Sequence, residues 1–281
     1  MVFITSQSVN SEILRQQGLS RDIATFQLQV SSGKKFDAPS DNPQDWLQIS
    51  TIGRQQSLTA AWEDNLKFAQ SRAAQASSGL GDVNNLMSRV TELLVTSTST
   101  SPNSPGTEAI AVELEGIRDS IAAILTQTDY QGTPTFDDGT SVAIPIGKGM
   151  AVDAVATRQS VEEGISTASG PKTIYEVLDG AIAAVRSGDN AARNASLTEA
   201  RSALDHVIVA QSKQGVRTQR LDDESSRILD ANLQLAERRS GLEDADLTEV
   251  IAKLQAKLVT LQAAQTVYAK INQQSLFTLI R

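Results

Sequence analysis

The sequence contains no cysteine and a single histidine, His206. The absence of cysteine excludes disulfides, thiolate zinc sites, iron–sulfur ligation and cysteine nucleophiles, and one imidazole cannot build a multi-histidine metal site. Aromatic residues make up only 4% of the 281 residues, fewer than a compact core of this size ordinarily contains. Soft-metal chemistry is therefore excluded, and we expect no metal and no cofactor.

Basic residues are also scarce, 25 against 33 acidic ones, so the formal charge is -8 at pH 7. A negative chain repels phosphate backbones and anionic lipid headgroups. No run approaches the roughly 18 to 20 apolar residues that span a bilayer. The first residues lack the basic and apolar regions of a cleavable signal peptide. We expect no nucleic-acid partner, no membrane partner and no signal-peptide export.

Proline is absent after Pro171, which leaves the last 110 residues free to form long helices. Apolar residues recur there every seven positions, and then with alternating spacings of four and three. Such patterns predict amphipathic helices that need partners. The two series are Leu221, Ile228, Leu235, Leu242 and Leu247, Ile251, Leu254, Leu258, Leu261.

The N-terminal region shows the same spacing. Its apolar positions are Leu19, Ile23, Phe26 and Val30, with Val9 and Ile13 one phase earlier. The pattern predicts a second terminal amphipathic helix that ends at the Ser-Ser-Gly sequence of residues 31–33, because glycine suits a helix C-terminus.

Between the two ends, apolar periodicity predicts helices over residues 46 to about 96 and 108 to about 127. Between 131 and 171 the period changes to alternation, as in Val142, Ile144 and Ile146, with Val152–Val155 also strand-like. The fold class is therefore mainly α: an elongated helical bundle or coiled coil formed by paired N- and C-terminal helices, with a small β-rich insertion.

Acidic residues outnumber basic ones around this insertion, which predicts a solvent-facing bump. Asp137-Asp138-Gly139 is interpreted as a hairpin turn because the further spaced oxygens of a calcium loop are missing. Gly147-Lys148-Gly149 is interpreted as a turn because it lacks the other residues of a phosphate-binding loop.

Catalytic candidates are weak. His206 follows Asp205 directly on a predicted helix, where neighbouring side chains diverge by about 100°, so the two cannot act as base and orienting partner. No spaced set of acid, base and nucleophile is visible. We expect no catalytic, cofactor-binding or metal site, and no enzyme activity.

Three motifs occur in a fixed order along the chain. They are VSSGKKFDAPSDNP at residues 30–43, LMSRVTEL at 86–93 and SGLEDAD at 240–246. The first resembles the end of the first helix and the following loop in the bacterial flagellin superfamily. The other two are similar to its Arg-Val-x-Glu-Leu helix and to the signature before its last helix. Together they identify the chain as a flagellin-superfamily member.

The resemblance implies a secreted structural subunit of the bacterial flagellum that self-assembles through its terminal helices. It implies export of the unfolded chain through the flagellar type III channel, and therefore an extracellular location without a cleavable signal. The implied partners are further copies of the chain, flagellin, hook-associated proteins, and a cytosolic export chaperone that covers the C-terminal helix.

Two placements within the flagellum stay open. The PSDNP sequence at 39–43, Ser275-Leu276-Phe277 and the Ile-x-Ile-Gly-x-Gly segment at 144–149 resemble junction subunits between hook and filament. The final Leu279-Ile280-Arg281 resembles filament flagellins instead. The junction role is our expectation, with a short filament flagellin as the alternative. An intracellular coiled-coil adaptor is the alternative from another class.

The division expected from the resemblance has three parts: terminal assembly helices (1–35 and 246–281), a helical core (36–130 and 172–245) and an outer β-rich insertion (131–171). The residues expected at the subunit interface are Ile13, Leu19, Ile23, Phe26, Val30, Leu254, Leu258, Leu261, Tyr268, Ile271 and Phe277.

Overall fold

The computed structural model describes residues 6–101, 104–129 and 132–279, and within them the side chains of residues 10–270. The architecture is mainly α with small antiparallel β elements, as predicted. The helices are α1 (Ser6–Ser32), α2 (Pro43–Ser99), α3 (Pro105–Leu125), α4 (Arg158–Glu162), α5 (Ile174–Ser187), α6 (Asn190–Glu243) and α7 (Leu247–Leu279). The strands are β1 (Ala143–Gly147), β2 (Met150–Asp153), β3 (Ile165–Thr167) and β4 (Gly170–Lys172).

The packing divides the chain into two compact units. Unit 1 comprises Met1–Ser57 and Ala231–Arg281, and unit 2 comprises Leu58–Asp230. Unit 1 therefore brings together the two ends of the chain, whereas unit 2 is one continuous segment. The three-part division expected from the sequence concerns roles in assembly and stays a prediction.

Helix α1 ends at the Ser-Ser-Gly sequence that predicts its C-terminus. Gly33 has a φ of 71°, a left-handed conformation that glycine adopts at little cost. Its N–H donates to the Gln29 carbonyl at 2.9 Å.

Side chains of the proline-flanked loop then accept hydrogen bonds from the backbone that leads into α2. Asp41 Oδ2 accepts the N–H groups of Asp37 and Ala38 at 3.3 and 3.2 Å. Asn42 Oδ1 accepts the Asp45 N–H at 3.2 Å. Pro43 occupies the first position of α2, where a missing N–H costs nothing. The loop is therefore built to start a helix.

The core of unit 2 consists mainly of aliphatic residues, with many alanines. Helices α3 and α5 pack against each other, and small residues let elements approach closely. A Cβ at Gly79 would lie 3.4 Å from Ile124 Cγ2 and 3.5 Å from the Phe136 ring. Close packing of small side chains explains how the core forms with so few rings. The buried stripe of α2 includes Leu66, Ala69, Ala73, Ala76, Leu80, Val83, Met87 and Val90.

Arg193 is fully buried in unit 2. Its Nη1 donates to the carbonyls of Ser97 and Thr100 at 2.7 and 3.3 Å, and its Nη2 donates to the Val185 carbonyl at 3.0 Å. These carbonyls lie at the C-terminal ends of α2 and α5, where a cation offsets the partial negative charge of the helix end. Arg193 therefore joins two helix ends.

The small β elements are two separate two-stranded pairs. Strands β1 and β2 pair antiparallel across the predicted Gly147-Lys148-Gly149 turn, where Gly149 has a φ of 74°. Strands β3 and β4 form the second pair. Strand β2 ends at Asp153 and does not reach Val155, because Ala154 and Val155 are buried in the core and the Ala154 carbonyl accepts from Gln214 Nε2 at 2.8 Å.

The expectation of a hairpin turn at Asp137-Asp138-Gly139 is wrong. A turn is present, with Gly139 at a φ of 71°. It does not join paired strands, because β1 pairs with β2 and Asp137 forms a parallel bridge with Thr157. The turn instead returns the chain to β1, and the Val142 N–H donates to Asp137 Oδ2 at 2.7 Å.

The expectation of a solvent-facing insertion is also wrong in part. Asp137 and Glu162 are buried, and Phe136 and Ile146 belong to the core of unit 2. Burial of Asp137 is tolerated because Arg72 Nη2 lies 2.8 Å from its Oδ1, with both side chains almost fully enclosed. The insertion therefore contributes to the core.

Candidate assembly surface

Helices α1 and α7 form a pair within unit 1. Lys257 Nζ lies 2.8 Å from Asp22 Oδ2 and links the two helices. Leu19 and Ile23 of α1 and Val250 and Ala264 of α7 are buried. The two ends of the chain therefore cover part of each other's apolar surface.

The predicted interface residues fall into several environments, so their assignment to a contact between subunits stays a prediction. Two are buried, five are half-buried and two are exposed; the side chains of the last two lie outside the described residues. In that order they are Leu19 and Ile23; Phe26, Val30, Leu254, Leu261 and Tyr268; Ile13 and Leu258; Ile271 and Phe277.

A second apolar face remains exposed on this helix pair, and sequence analysis missed it. Val259 is 65% exposed and lies nine residues after Val250, on the opposite side of α7. On α1, Leu14 and Leu28 are 63% and 52% exposed. Leu14 and Leu28 are 14 residues, or two heptads, apart, so they lie on one face of α1. This spacing is the feature of the sequence that could have identified them. Leu14 and Val259 each lie opposite the buried side of their own helix, so they point away from each other. We call Val259 and the exposed Val267 of α7 the second apolar face.

Backbone pairing joins two of the three sequence motifs. The Lys35 N–H donates to the Glu243 carbonyl at 2.7 Å, and the Ala245 N–H donates to the Gly33 carbonyl at 2.8 Å. Lys34 and Asp244 form an antiparallel bridge. We call this contact between residues 33–35 and 243–245 the clasp. It fixes the end of α1 beside the start of α7.

Charged side chains reinforce the clasp. Glu243 lies 2.7 Å from Arg239 Nε and 2.5 Å from Lys34 Nζ. Hydrogen bonds from Arg239 and then Lys34 lower the pKa of Glu243 below its usual 4.5. The same contact with Glu243 raises the pKa of Arg239. Lys35 Nζ donates to the Gly241 carbonyl at 2.8 Å. The clasp is therefore favoured at a pH where Glu243 is ionised.

An open groove of about 670 Å³ lies beside the clasp, between the first turns of α2 and the end of α6. Leu47, Ile52 and Leu242 supply its apolar lining, and Arg238 is its one titratable lining residue. The groove can accept an apolar side chain, but its lining contains no acid–base pair.

The candidate catalytic pair in unit 2 is not assembled. His206 Nε2 lies 3.2 Å from the Ser160 carbonyl oxygen, and no described hydrogen bond joins it to the exposed Asp205. A partly buried polar contact lies elsewhere: partial burial and a 2.9 Å hydrogen bond to Glu162 raise the pKa of Tyr175 to about 12. At neutral pH Tyr175 is therefore a protonated donor.

Within the described ranges, no group of three or more acidic or histidine side chains is placed to hold a metal ion. Over the same ranges, none of the helices combines the length and apolar character needed to cross a bilayer.

Family models for bacterial flagellin match both ends of the sequence. The bacterial flagellin N-terminal helical region matches residues 5–140, and the C-terminal helical region matches residues 197–280. The chain belongs to the bacterial flagellin family. The clasp thus joins one segment from each matched region, 33–35 and 243–245.

Relatives named as flagellins or hook-associated proteins are similar to this chain over most of their length. Flagellar hook-associated protein 3 of Salmonella typhimurium is 23% identical, over 90% of this chain and 91% of that protein. Flagellin FljK of Caulobacter vibrioides is 25% identical, over 92% of this chain and 90% of that protein.

Solved structures share the fold. A protein of Vibrio parahaemolyticus, provisionally named as a flagellar hook-associated protein, superposes with a TM-score of 0.65 at 18% identity, over 73% of this chain and all of that one. Flagellar hook-associated protein 3 of Legionella pneumophila gives a TM-score of 0.62 at 13% identity, over 69% of this chain and 98% of that one.

Proposed function

We propose that the chain is a structural subunit of the bacterial flagellum, located at the junction between hook and filament. The observation that carries the proposal is the second apolar face, which stays exposed after α1 and α7 have paired. An exposed apolar strip of this kind is typical of a protein–protein interface. The junction placement is supported by the similarity, over nine-tenths of each chain, to a protein named flagellar hook-associated protein 3.

Assembly on this face is cooperative. Full burial of each Val or Leu side chain contributes about 1.5–3 kcal/mol. The two residues of the face therefore contribute about 3–6 kcal/mol, while association costs about 4–15 kcal/mol. One contact is marginal, so a subunit adds stably only where several neighbours meet. No turnover is required, and a structural rather than catalytic role is part of the proposal.

Residues 1–35 and 246–281 act as the assembly helices in this proposal, 36–130 and 172–245 as the helical core, and 131–171 as the outer element. The chain leaves the cell unfolded through the flagellar export channel. A cytosolic chaperone covers α7 before export, because Val259 and Val267 would otherwise promote early association. Its final partners are its own copies, flagellin and other hook-associated proteins.

A filament flagellin is the second candidate. It is favoured by the similarity to flagellin FljK, which matches the chain over as much of its length as the hook-associated protein does. A filament subunit would extend indefinitely, whereas a junction subunit occupies one short zone.

The experiment that tests the placement is immunogold electron microscopy of flagella from the source bacterium, with a deletion strain and its complemented derivative as controls. We expect label confined to the hook-proximal end of the filament, and deletion cells that keep hooks but release unpolymerised flagellin. Label along the whole filament would establish the second candidate. Retention of the chain in the cytosol would contradict both and support an adaptor.

A further inference from the structure

A charged stripe follows one side of α6 in unit 2. Its members are spaced alternately by three and four residues, so they share one side of the helix. All of them are exposed. We call these six residues the α6 stripe: Lys213, Val216, Arg220, Asp223, Arg227 and Asp230.

Four charges of the α6 stripe have no ion-pair partner among the described residues. Eight other basic side chains of unit 2 pair with acidic ones, but Lys213 and Arg220 do not. Asp223 accepts a 3.0 Å hydrogen bond from the neutral Gln219, and Asp230 forms no described ion pair. This side of α6 therefore carries two free cations and two free carboxylates.

Helix α2 does not cover the stripe, because it contacts another side of α6. Asp222 and Gln211 of α6 accept hydrogen bonds from side chains of α2 at 2.9 and 3.0 Å. Arg220 lies two residues before Asp222, and Lys213 lies two residues after Gln211. At about 100° per residue, each cation is about 160° around α6 from its contact with α2. The free charges of the stripe are therefore open to a partner.

The α6 stripe is complementary to itself in the antiparallel direction. Its free cations precede the point midway between Arg220 and Asp223, and its free carboxylates follow that point. Lys213 and Asp230 lie equally far from this midpoint, as do Arg220 and Asp223. The two cations are about 10 Å apart along the helix, and so are the two carboxylates. An antiparallel second copy in register therefore places every free cation opposite a free carboxylate.

The remaining two members of the stripe also meet in this register. Val216 and Arg227 lie equally far from the same midpoint, so the valine of each copy faces the arginine of the other. The apolar stem of an arginine can cover a valine while its guanidinium stays in water. The guanidinium of Arg227 is already paired, because its Nη1 lies 3.1 Å from Glu224. This layer therefore adds apolar contact without an unpaired charge.

We infer that two copies of the free chain pair through their α6 stripes in an antiparallel, two-fold contact. The dimer contains four ion pairs between copies, because Lys213 with Asp230 and Arg220 with Asp223 each form twice. The acidic excess of unit 2 does not prevent this contact. At 0.15 M salt, charges separated by more than about 8 Å are largely screened, whereas the paired charges are in contact.

A two-fold contact uses the same surface on both copies, so it closes after two copies and cannot propagate. The inference therefore goes beyond the proposed function. It describes the chain outside the flagellum, in a form that does not extend into an assembly.

Sedimentation equilibrium of the purified full chain tests the dimer. The chain would carry Val259→Asp and Val267→Asp, which remove the apolar contact proposed for unit 1. We expect monomers and dimers in 0.15 M salt, with no larger species. Dimers should be weaker in 1 M salt, where the ion pairs are screened.

Charge reversal in the same chain identifies the surface. Lys213→Glu with Arg220→Glu should weaken dimerisation at least about 30-fold, the equivalent of four ion pairs of about 0.5 kcal/mol each. Asp223→Lys with Asp230→Lys should do the same. An equimolar mixture of the two variants should dimerise again, because each supplies the charges that the other lacks.

The natural absence of cysteine allows the register to be tested by crosslinking. Val216→Cys with Arg227→Cys, added to the same chain and treated with a short bis-maleimide, should give dimers and no ladder. Val112→Cys with Arg227→Cys is the matched control and should stay monomeric, because Val112 is an exposed valine of another helix. A ladder would show an open, head-to-tail contact and would overturn the two-fold one.

Two further results would overturn the inference and leave the proposed function intact. One is a chain that stays monomeric in 0.15 M salt, and the other is a mixture of the reversed variants that fails to dimerise. With its natural valines restored, the chain with Lys213→Glu and Arg220→Glu should still reach the flagellum. Its exclusion would assign the stripe to assembly and overturn the inference. Absence of the natural chain from flagella would overturn the proposed function without changing the dimer.

Discussion

The two units of this chain differ in charge balance and in exposed apolar surface. Unit 1 has 11 basic and 10 acidic residues and leaves an apolar face exposed on its helix pair. Unit 2 has 14 basic and 23 acidic residues and encloses the hydrophobic cluster that forms its core. A nearly neutral, apolar surface can stack on copies of itself without charge repulsion, whereas an acidic one stays solvated. If unit 1 is the assembly surface, as we propose, assembly and folding depend on different units.

The largest effect should follow from Asp137→Asn, which leaves Arg72 buried without its charged partner. We expect unit 2 to lose about 3–5 kcal/mol of unfolding free energy, measured by urea denaturation. Asp138→Asn, at the exposed neighbouring position, is the control and should cost under about 1 kcal/mol. Equal losses from the two variants would show that the Arg72–Asp137 pair does not stabilise the core.

Val259→Asp with Val267→Asp should block assembly without unfolding the chain. The proposed contact would bury both valines, and the substitutions place charges there instead, so we expect at least about a 100-fold loss of incorporation into flagella. Circular dichroism should show unchanged helix content. Val95→Asp with Val112→Asp changes two exposed valines of unit 2 and should assemble. Normal incorporation of the first variant would remove the second apolar face from the proposed interface.

Glu243→Gln should weaken the clasp by about 1 kcal/mol, because the cationic donors Arg239 and Lys34 lose their anionic acceptor. The lowered pKa of Glu243 also predicts a pH dependence. Its contribution is present above the unfolded pKa near 4.5 and is lost as the pH falls through the lower folded value. Stability measured between pH 7 and pH 3 should therefore fall more for the natural chain than for Glu243→Gln. Parallel curves would contradict this role.

Lys257→Ala should have the smallest effect, about 0.5 kcal/mol or less, because the ion pair with Asp22 is solvent-exposed. Lys253→Ala is the comparison, because the i,i+4 ion pair of Lys253 with Glu249 lies within α7. The difference between the two variants distinguishes an ion pair between helices from one within a helix. Added salt should abolish the difference between them. A loss above about 2 kcal/mol would mean that this pair, rather than apolar burial, holds α1 to α7.

Local signals in the sequence predict the secondary structure well. The turn at Gly33 and the Gly147–Gly149 turn are set by neighbouring residues, and both are found where predicted. The Thr173–Glu176 capping box that starts α5 is equally local, and a search for it would have placed that helix. The motifs at 30–43 and 240–246 indicated the family before any contact was known.

Long-range features were not predictable in the same way. Burial of Asp137 depends on Arg72, 65 residues earlier, and burial of Arg193 depends on carbonyls of two other helices. The insertion was predicted to face solvent because composition counts its charged residues but does not show which of them are paired. The apolar pattern likewise identified Leu19 and Ile23, which are buried inside unit 1, but not Leu14 or Val259, which lie off the main stripe and remain exposed.

The clasp has a kinetic consequence. Residues 33 and 245 are about 210 positions apart in the chain, so joining them closes a loop with an entropy cost that grows as the logarithm of its length, about 5 kcal/mol at this size. Contacts of such high sequence separation form late. In a chain that becomes available to fold from its N-terminus, unit 2 can fold as a continuous segment before α7 is present to pair with α1. In the proposed assembly, the part of the molecule that contacts neighbouring subunits is therefore the part completed last.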